Sequence, residues 1–177
     1  MNVEIRFLDA IEAASHLDAL VELLRDSVDS GASVGFLPPL ETAEARAYWE
    51  GVVAELASPS RSLALARVDG RVAGTAQLVE ADKANARHRA EVSKVLVHSS
   101  FQRRGLGAAL MRALEERARE RGKSTLVLDT LEGAPSERLY QSLGWIRAGV
   151  IPQYAQIADG SLRSTVLYYK LLGAVGR

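Results

Sequence analysis

Apolar and polar positions along the chain follow two periods, and these predict its elements. Residues 3–9 set Val3, Ile5 and Phe7 against Glu4 and Arg6, the period-two pattern of a strand with one buried face. Residues 10–28 carry Ile11, Leu17, Leu20, Val21, Leu24 and Val28 at helical spacings and predict one helix. Residues 29–40, DSGASVGFLPPL, hold two glycines and two prolines and read as a loop, long enough to suggest a functional one. Thr42 is the expected cap of a second helix reaching about Leu56, with Ala45, Trp49, Val52, Val53 and Leu56 inward and Pro59 just beyond. Residues 61–68 and 71–80 flank Asp69-Gly70, a strong hairpin signal, and a polar loop over 81–89 follows. Residues 90–98, AEVSKVLVH, read as a third strand. A helix over 105–121 puts Leu106, Leu110, Ala113 and Leu114 on one face and the pairs Glu115/Arg119 and Arg112/Glu116 outside. The apolar run of 124–129, STLVLD, predicts a strand buried on both faces. A helix near 134–143 stopping at Gly144, then strands over 145–151 and 163–172, complete the pattern.

The resulting order is β-α-α-β-β-β-α-β-α-β-β. It predicts an α/β (α+β) fold with a mixed, mostly antiparallel sheet. One right-handed parallel crossover runs from strand 90–98 through a helix to strand 124–129. A length of 177 residues fits a single domain over 1–177.

Composition then narrows the chemistry. Twenty-two basic and 22 acidic residues give zero formal net charge, which argues against a nucleic-acid partner. With no cysteine there is no disulfide, thiolate nucleophile or Cys-ligated zinc. His16, His88 and His98 are scattered, so no metal is expected. No apolar run approaches the ~20 residues of a membrane span. The opening MNVEIRFLDA lacks the pattern of a signal peptide, so a cytoplasmic protein without a membrane partner is expected.

The informative segment is Gln102-Arg103-Arg104-Gly105-Leu106-Gly107-Ala108. Two glycines in a first helical turn each cost up to ~1 kcal/mol relative to alanine, so something must require them. Bare backbone N–H groups at the positive end of a helix dipole, beside two arginines, suit a phosphate or pyrophosphate. A P-loop is excluded, because G-x-x-x-x-G-K-[ST] is absent. A dinucleotide fingerprint is half met, with Leu110 at the third glycine and Asp129 suited to a ribose. However, six residues separate His98 from Gly105, too many for that tight turn. The pyrophosphate of coenzyme A and simple close packing of the two glycines stay open.

Gln/Arg-x-x-Gly-x-Gly/Ala opening a helix after a strand resembles the acetyl-CoA motif of the GNAT N-acetyltransferases. The element order, Glu91-Val92, Leu126–Asp129, Leu139-Tyr140 and Leu143-Gly144-Trp145 agree with that family in order and spacing. The segments GASVGF, RAEVSKVLV, LDT and IPQYAQIADGSL, leading to VLYYKLLG, further resemble its tabtoxin-resistance type. The chain departs from the family at Gly133, where many members carry an Asn that contacts the pantetheine arm.

This resemblance implies acetyl-CoA as co-substrate and a small-molecule amine as acceptor, with a homodimer allowed. It implies cofactor contacts at Val95, Leu96 and Val97 on the strand and at Gln102, Arg103, Arg104, Gly105, Leu106, Gly107 and Ala108 in the loop. The backbone N–H of Leu96 or Val97 would meet the oxyanion, and Tyr140 would act as acid toward the leaving thiolate. Glu91 resembles the general base of some members; Asp129, at a strand end, could bind the substrate ammonium or act as the base. The spacing sets the two acids at opposite ends of neighbouring strands. Both acids also have ordinary surface readings, and Tyr140 a core one. The loop Gly31–Leu40 and the stretch Gln153–Asp159 are the expected acceptor walls, with Tyr154 and Asp159 as contacts or ordinary packing and turn residues. Trp49 and Trp145 read as core. The rival readings are a peptide N-terminal acetyltransferase, which predicts an open groove, and a non-catalytic CoA sensor.

Overall fold

The computed structural model describes residues 2–173. In chain order the elements are β1 (Val3–Leu8), α1 (Ala10–Ser15), α2 (Leu17–Asp29), α3 (Thr42–Glu55), β2 (Arg61–Val68), β3 (Arg71–Glu80) and β4 (Arg89–Val97). A short 3-10 turn (Ser99–Phe101) leads to α4 (Leu106–Glu120), β5 (Thr125–Leu131), α5 (Pro135–Ser142), β6 (Ile146–Gln156) and β7 (Leu162–Leu171). The strands form one sheet in the order β1-β2-β3-β4-β5-β7-β6. Neighbours are antiparallel except β4 and β5, the expected parallel pair joined through α4.

One face of the sheet is packed by α4: Leu110, Met111, Leu114 and Ala118 lie on Ala64, Ala66, Ala76, Leu78, Ala90, Val92, Leu126 and Leu128. Small residues on β2, β3 and β4 let the helix approach closely. At Gly74 a Cβ would lie 2.7 Å from the Leu96 carbonyl oxygen and 3.2 Å from Leu110 Cδ1, so only glycine fits. The other face is covered on its β1–β4 half, where Leu63, Leu65 and Leu96 meet Leu20, Leu24 and Trp49 of α2 and α3. On β7 the residues of that face, Leu167 and Leu171, are exposed. β5 is therefore buried on one face and not two: Leu126 and Leu128 are buried, whereas Asp129 is exposed.

Several local expectations change. The helix expected over 10–28 is two helices broken at His16 (φ −101°, ψ 7°), the first fixed by a capping box between Asp9 and Glu12. Ile11 is 82% exposed. At ~100° per residue it lies ~120° away from Leu17, off the buried stripe. Glu41, not Thr42, caps α3, and no side chain bonds the cap. The Glu115/Arg119 pair forms at 4.0 Å, but Glu115 is buried rather than outside: it also accepts from Trp145 Nε1 at 3.0 Å and from Lys170 Nζ at 2.7 Å. Glu116 pairs with Arg119 and not Arg112. β6 runs to Gln156, with a register break between Ile151 and Ala155 that makes Pro152, Gln153 and Tyr154 a bulge. Among the described residues no helix is long and apolar enough to cross a membrane.

Candidate active site

The parallel strands part early. β4 pairs with β5 only through Arg89, Ala90 and Glu91, opposite Thr125, Leu126 and Val127. β5 stays paired with β7 along its whole length, so beyond Glu91 a cleft opens between β4 and β5. The cause lies partly in β4 itself. Its register with β3 shifts, so that Lys94 and Val95 together oppose Ala76, and Lys94 has φ +50°. His98 donates its N–H to Ala73 of β3, and Gln102 Nε2 donates to the Val97 carbonyl at 3.4 Å. Alternation along the strand then turns the Val97 N–H toward the cleft and the Leu96 N–H toward β3. The Leu96 side chain is buried under the helices, and Val95 and Val97 pack on the α4 side.

At one end of this cleft stands the N-terminus of α4. The six backbone N–H groups of residues 103–108 make no hydrogen bond to any described residue. They form a donor cradle at the positive end of a fifteen-residue helix. Gly105 caps the helix with φ +80° and nothing within 4 Å of a notional Cβ, so its need is conformational. Gly107 differs: a Cβ there would come within 3.0 Å of Leu139 Cδ2 on α5. Leu106 is buried with Phe101, Ala73 and Val68 and anchors the turn. Arg104 stacks on Phe101 at 5.6 Å, and Gln102, Arg103, Arg104 and Gly105 are exposed, while Gly107 and Ala108 are half-buried. Asp26 of α2 accepts from the Ser99 N–H at 2.7 Å and from its hydroxyl at 2.6 Å, tying the preceding turn to the covered half of the fold.

Glu91 stands near the start of β4 and Asp129 toward the end of β5, as expected, but the stagger of the two strands brings them close. Glu91 is level with Val127, two residues before Asp129, and these side chains share the face away from α4. Both are exposed, and Asp129 accepts from the Thr165 hydroxyl at 2.9 Å. Tyr140 belongs to the opposite face, 6% exposed, with Trp145 at 6.2 Å and Tyr168 at 6.0 Å. Burial, then the negative charge of Asp129, pushes its pKa up to about 12. Its hydroxyl bonds no described residue. Loop 131–135 is locked beside it by Glu137, which accepts from the Gly133 N–H at 2.7 Å and from the Tyr168 hydroxyl at 2.6 Å. Gly133 thus serves as a turn.

The loop before α3 forms a wall. Phe36 packs edge-on against Tyr48 at 5.4 Å, and Val34 joins the cluster under α2 and α3. The second expected wall is only partly a loop, since 153–156 belong to β6. Tyr154 is 56% exposed, and Asp159 accepts from the Ser161 N–H at 2.8 Å as a turn residue. Trp49 and Trp145 are core residues. Sequence reasoning missed Lys94, whose ammonium lies 5.5 Å from the Tyr48 ring centre on the same face as Glu91. A signal existed: strict alternation from buried Ala90 and Val92 would send a lysine at 94 into the core.

Known proteins share this fold and part of this sequence. The sequence profile of the acetyltransferase (GNAT) family matches residues 18–145. An uncharacterised N-acetyltransferase of Azospirillum brasilense, encoded between hisH and hisA, is 32% identical over 133 residues, 74% of this chain and 77% of that one. A candidate acetyltransferase of Salmonella typhimurium, solved with its cofactor acetyl-CoA, superposes with a TM-score of 0.78 at 24% identity, over 100% of this chain and 98% of that one. A candidate phosphinothricin N-acetyltransferase gives a TM-score of 0.80 at 20% identity, over 97% of this chain and 99% of that one. By profile and by its curated relative, the chain belongs to the GNAT family of N-acetyltransferases.

Proposed function

We propose that this acetyltransferase moves the acetyl group of acetyl-CoA directly onto the primary amine of a small, amino-acid-like molecule, within a ternary complex. The observation that carries the reading is the β4–β5 cleft. It has a cradle of six free N–H groups at one end, two carboxylates on one face and a buried tyrosine on the other.

The N–H groups of 103–108 and the side chains of Arg103 and Arg104 would hold the pyrophosphate, and the cleft edge at Val95–Val97 the arm that follows. Acetyl-CoA supplies an activated thioester carbonyl. An amine of pKa ~10 is about a thousandfold protonated at pH 7, so freeing its lone pair costs ~4 kcal/mol. Glu91 or Asp129, directly or through water, takes that proton first; the freed lone pair then attacks the thioester carbonyl, and a second proton passes from the nitrogen to water as the amide forms. The Val97 N–H, aimed into the cleft, donates to the oxygen on which charge develops. As the C–S bond breaks, Tyr140 donates a hydrogen bond to the departing sulfur. Full transfer from a group at about 12 to a thiolate of pKa ~8.5 would run uphill by ~5 kcal/mol. Tyr140 therefore acts as a hydrogen-bond donor that stays protonated, and the sulfur takes its final proton from water.

The docked loop at Val34 and Phe36 walls one side of the acceptor region, which favours a small acceptor over an extended peptide. The likeness to the tabtoxin-resistance type points the same way. Free-thiol release from acetyl-CoA, measured against amino acids, amino-acid-like toxins, polyamines, antibiotics and N-terminal peptides, tests the reading. Release with small amines supports it. Release with peptides alone, or none while acetyl-CoA binds, overturns it.

A further inference from the structure

Lys94 stands at the cleft with no ion-pair partner among the described residues. Its bulged backbone carries it out of the core phase of β4 and onto the face of Glu91 and Asp129. There its ammonium sits over the Tyr48 ring at 5.5 Å and against Gly35, where a Cβ would lie 3.7 Å from Nζ. It hydrogen-bonds to no described residue and forms no ion pair with one. Burial pulls its pKa below the ordinary lysine value, while Asp129 and Glu91 raise it and Arg61 lowers it. An ammonium half withdrawn from water with three unused donors is unfavourable, and an aromatic face recovers only part of that loss.

The face thus presents two carboxylates and one unpaired cation beside them. We propose that Lys94 binds the carboxylate of the acceptor, which makes the acceptor an α-amino acid or a close anionic analogue rather than a polyamine. An α-amino acid carries its ammonium and its carboxylate on one carbon. The acids receive the first and Lys94 the second. A polyamine brings a second positive charge toward Lys94 and is repelled. The inference rests on the transfer reading above and names its substrate class.

The test pairs each amino acid with its decarboxylated amine: L-leucine with isoamylamine, L-phenylalanine with phenethylamine, L-lysine with cadaverine. Each is measured by thiol release and by calorimetric binding to the enzyme–CoA complex. A charge-assisted hydrogen bond predicts a preference for the amino acid of about tenfold or more. Lys94→Gln erases that preference and Lys94→Arg restores part of it, while retained CoA affinity shows that both variants fold. A wild type without the preference, or a Lys94→Gln variant that keeps it, overturns the inference. So does stoichiometric acetylation of Lys94 itself. If amines are acetylated without preference, this inference fails and the transfer reading stands. If no amine is acetylated, the transfer reading fails and the calorimetry still decides what Lys94 binds.

Discussion

The two sides of the β4–β5 cleft are built from different materials. The proposed cofactor side is mostly backbone: six N–H groups in one contiguous stretch, shaped by Gly105 and anchored by Leu106. The proposed acceptor side is mostly side chains, gathered from α3, β4, β5 and β7 and bounded by the loop at Gly35. A backbone cradle needs only the right residues in a row, so one segment encodes it. A side-chain cluster needs a sheet register before its members can meet. That difference explains why the cofactor side is legible in the sequence and why Lys94 and Thr165 are not.

The strongest change should come from the inner face of the helix behind the proposed cofactor cradle. Glu115, on the inner face of α4, is 6% exposed and is neutralised by Lys170 at 2.7 and 2.8 Å. Lys170→Met leaves that charge buried and should destabilise the fold by ~3 kcal/mol or more in urea titrations. Adding Glu115→Gln should recover much of the loss; no recovery would mean that the pair is not what supports α4.

Tyr140→Phe should come next. If the hydroxyl donates to the leaving sulfur as proposed, the variant's turnover falls about 100-fold, with acetyl-CoA affinity nearly unchanged. Equal losses in both would assign Tyr140 to packing. Since burial and Asp129 hold its pKa at about 12, no alkaline limb below pH ~11 should belong to it, and the Phe variant should keep the wild-type alkaline profile.

Gly107→Val is a smaller break. Its branched side chain would push Leu139 off the mouth of the cradle, and CoA affinity should drop about tenfold, an effect read by calorimetry. Unchanged affinity would move the pyrophosphate elsewhere.

The smallest effect lies away from both sides and serves as a control. Burial alone would raise the pKa of Glu80, but hydrogen bonds from Lys123 and Arg121 hold it below the ordinary 4.5. A depressed carboxylate adds stability above its unfolded value and loses it as pH falls through the folded one. The stability gap between wild type and Glu80→Gln should therefore be about 1 kcal/mol at pH 7 and close below pH 4.5. A gap that ignores pH would rule out this linkage.

The same contrast explains what was legible in the fold. Long, regular periods located every strand and most helices, and the parallel crossover followed from strand 90–98, helix and strand 124–129. The errors fell where tertiary context decides. His16 breaks a helix that its composition would continue, although the phase of Ile11 betrays the break. The apolar run in β5 suggested two buried faces, but no helix reaches over Leu167 and Leu171. Glu115 looked like half of a surface pair until Trp145 and Lys170 closed over it. The two acids seemed far apart because the β4–β5 register was unknown; with Glu91 level with Val127 they share one face.

Direct transfer requires both substrates in the cleft at once, which initial-rate kinetics with both substrates varied would reveal. Double-reciprocal plots should intersect, as a ternary complex requires. Parallel lines, together with an acetylated enzyme isolated in the absence of acceptor, would contradict the account.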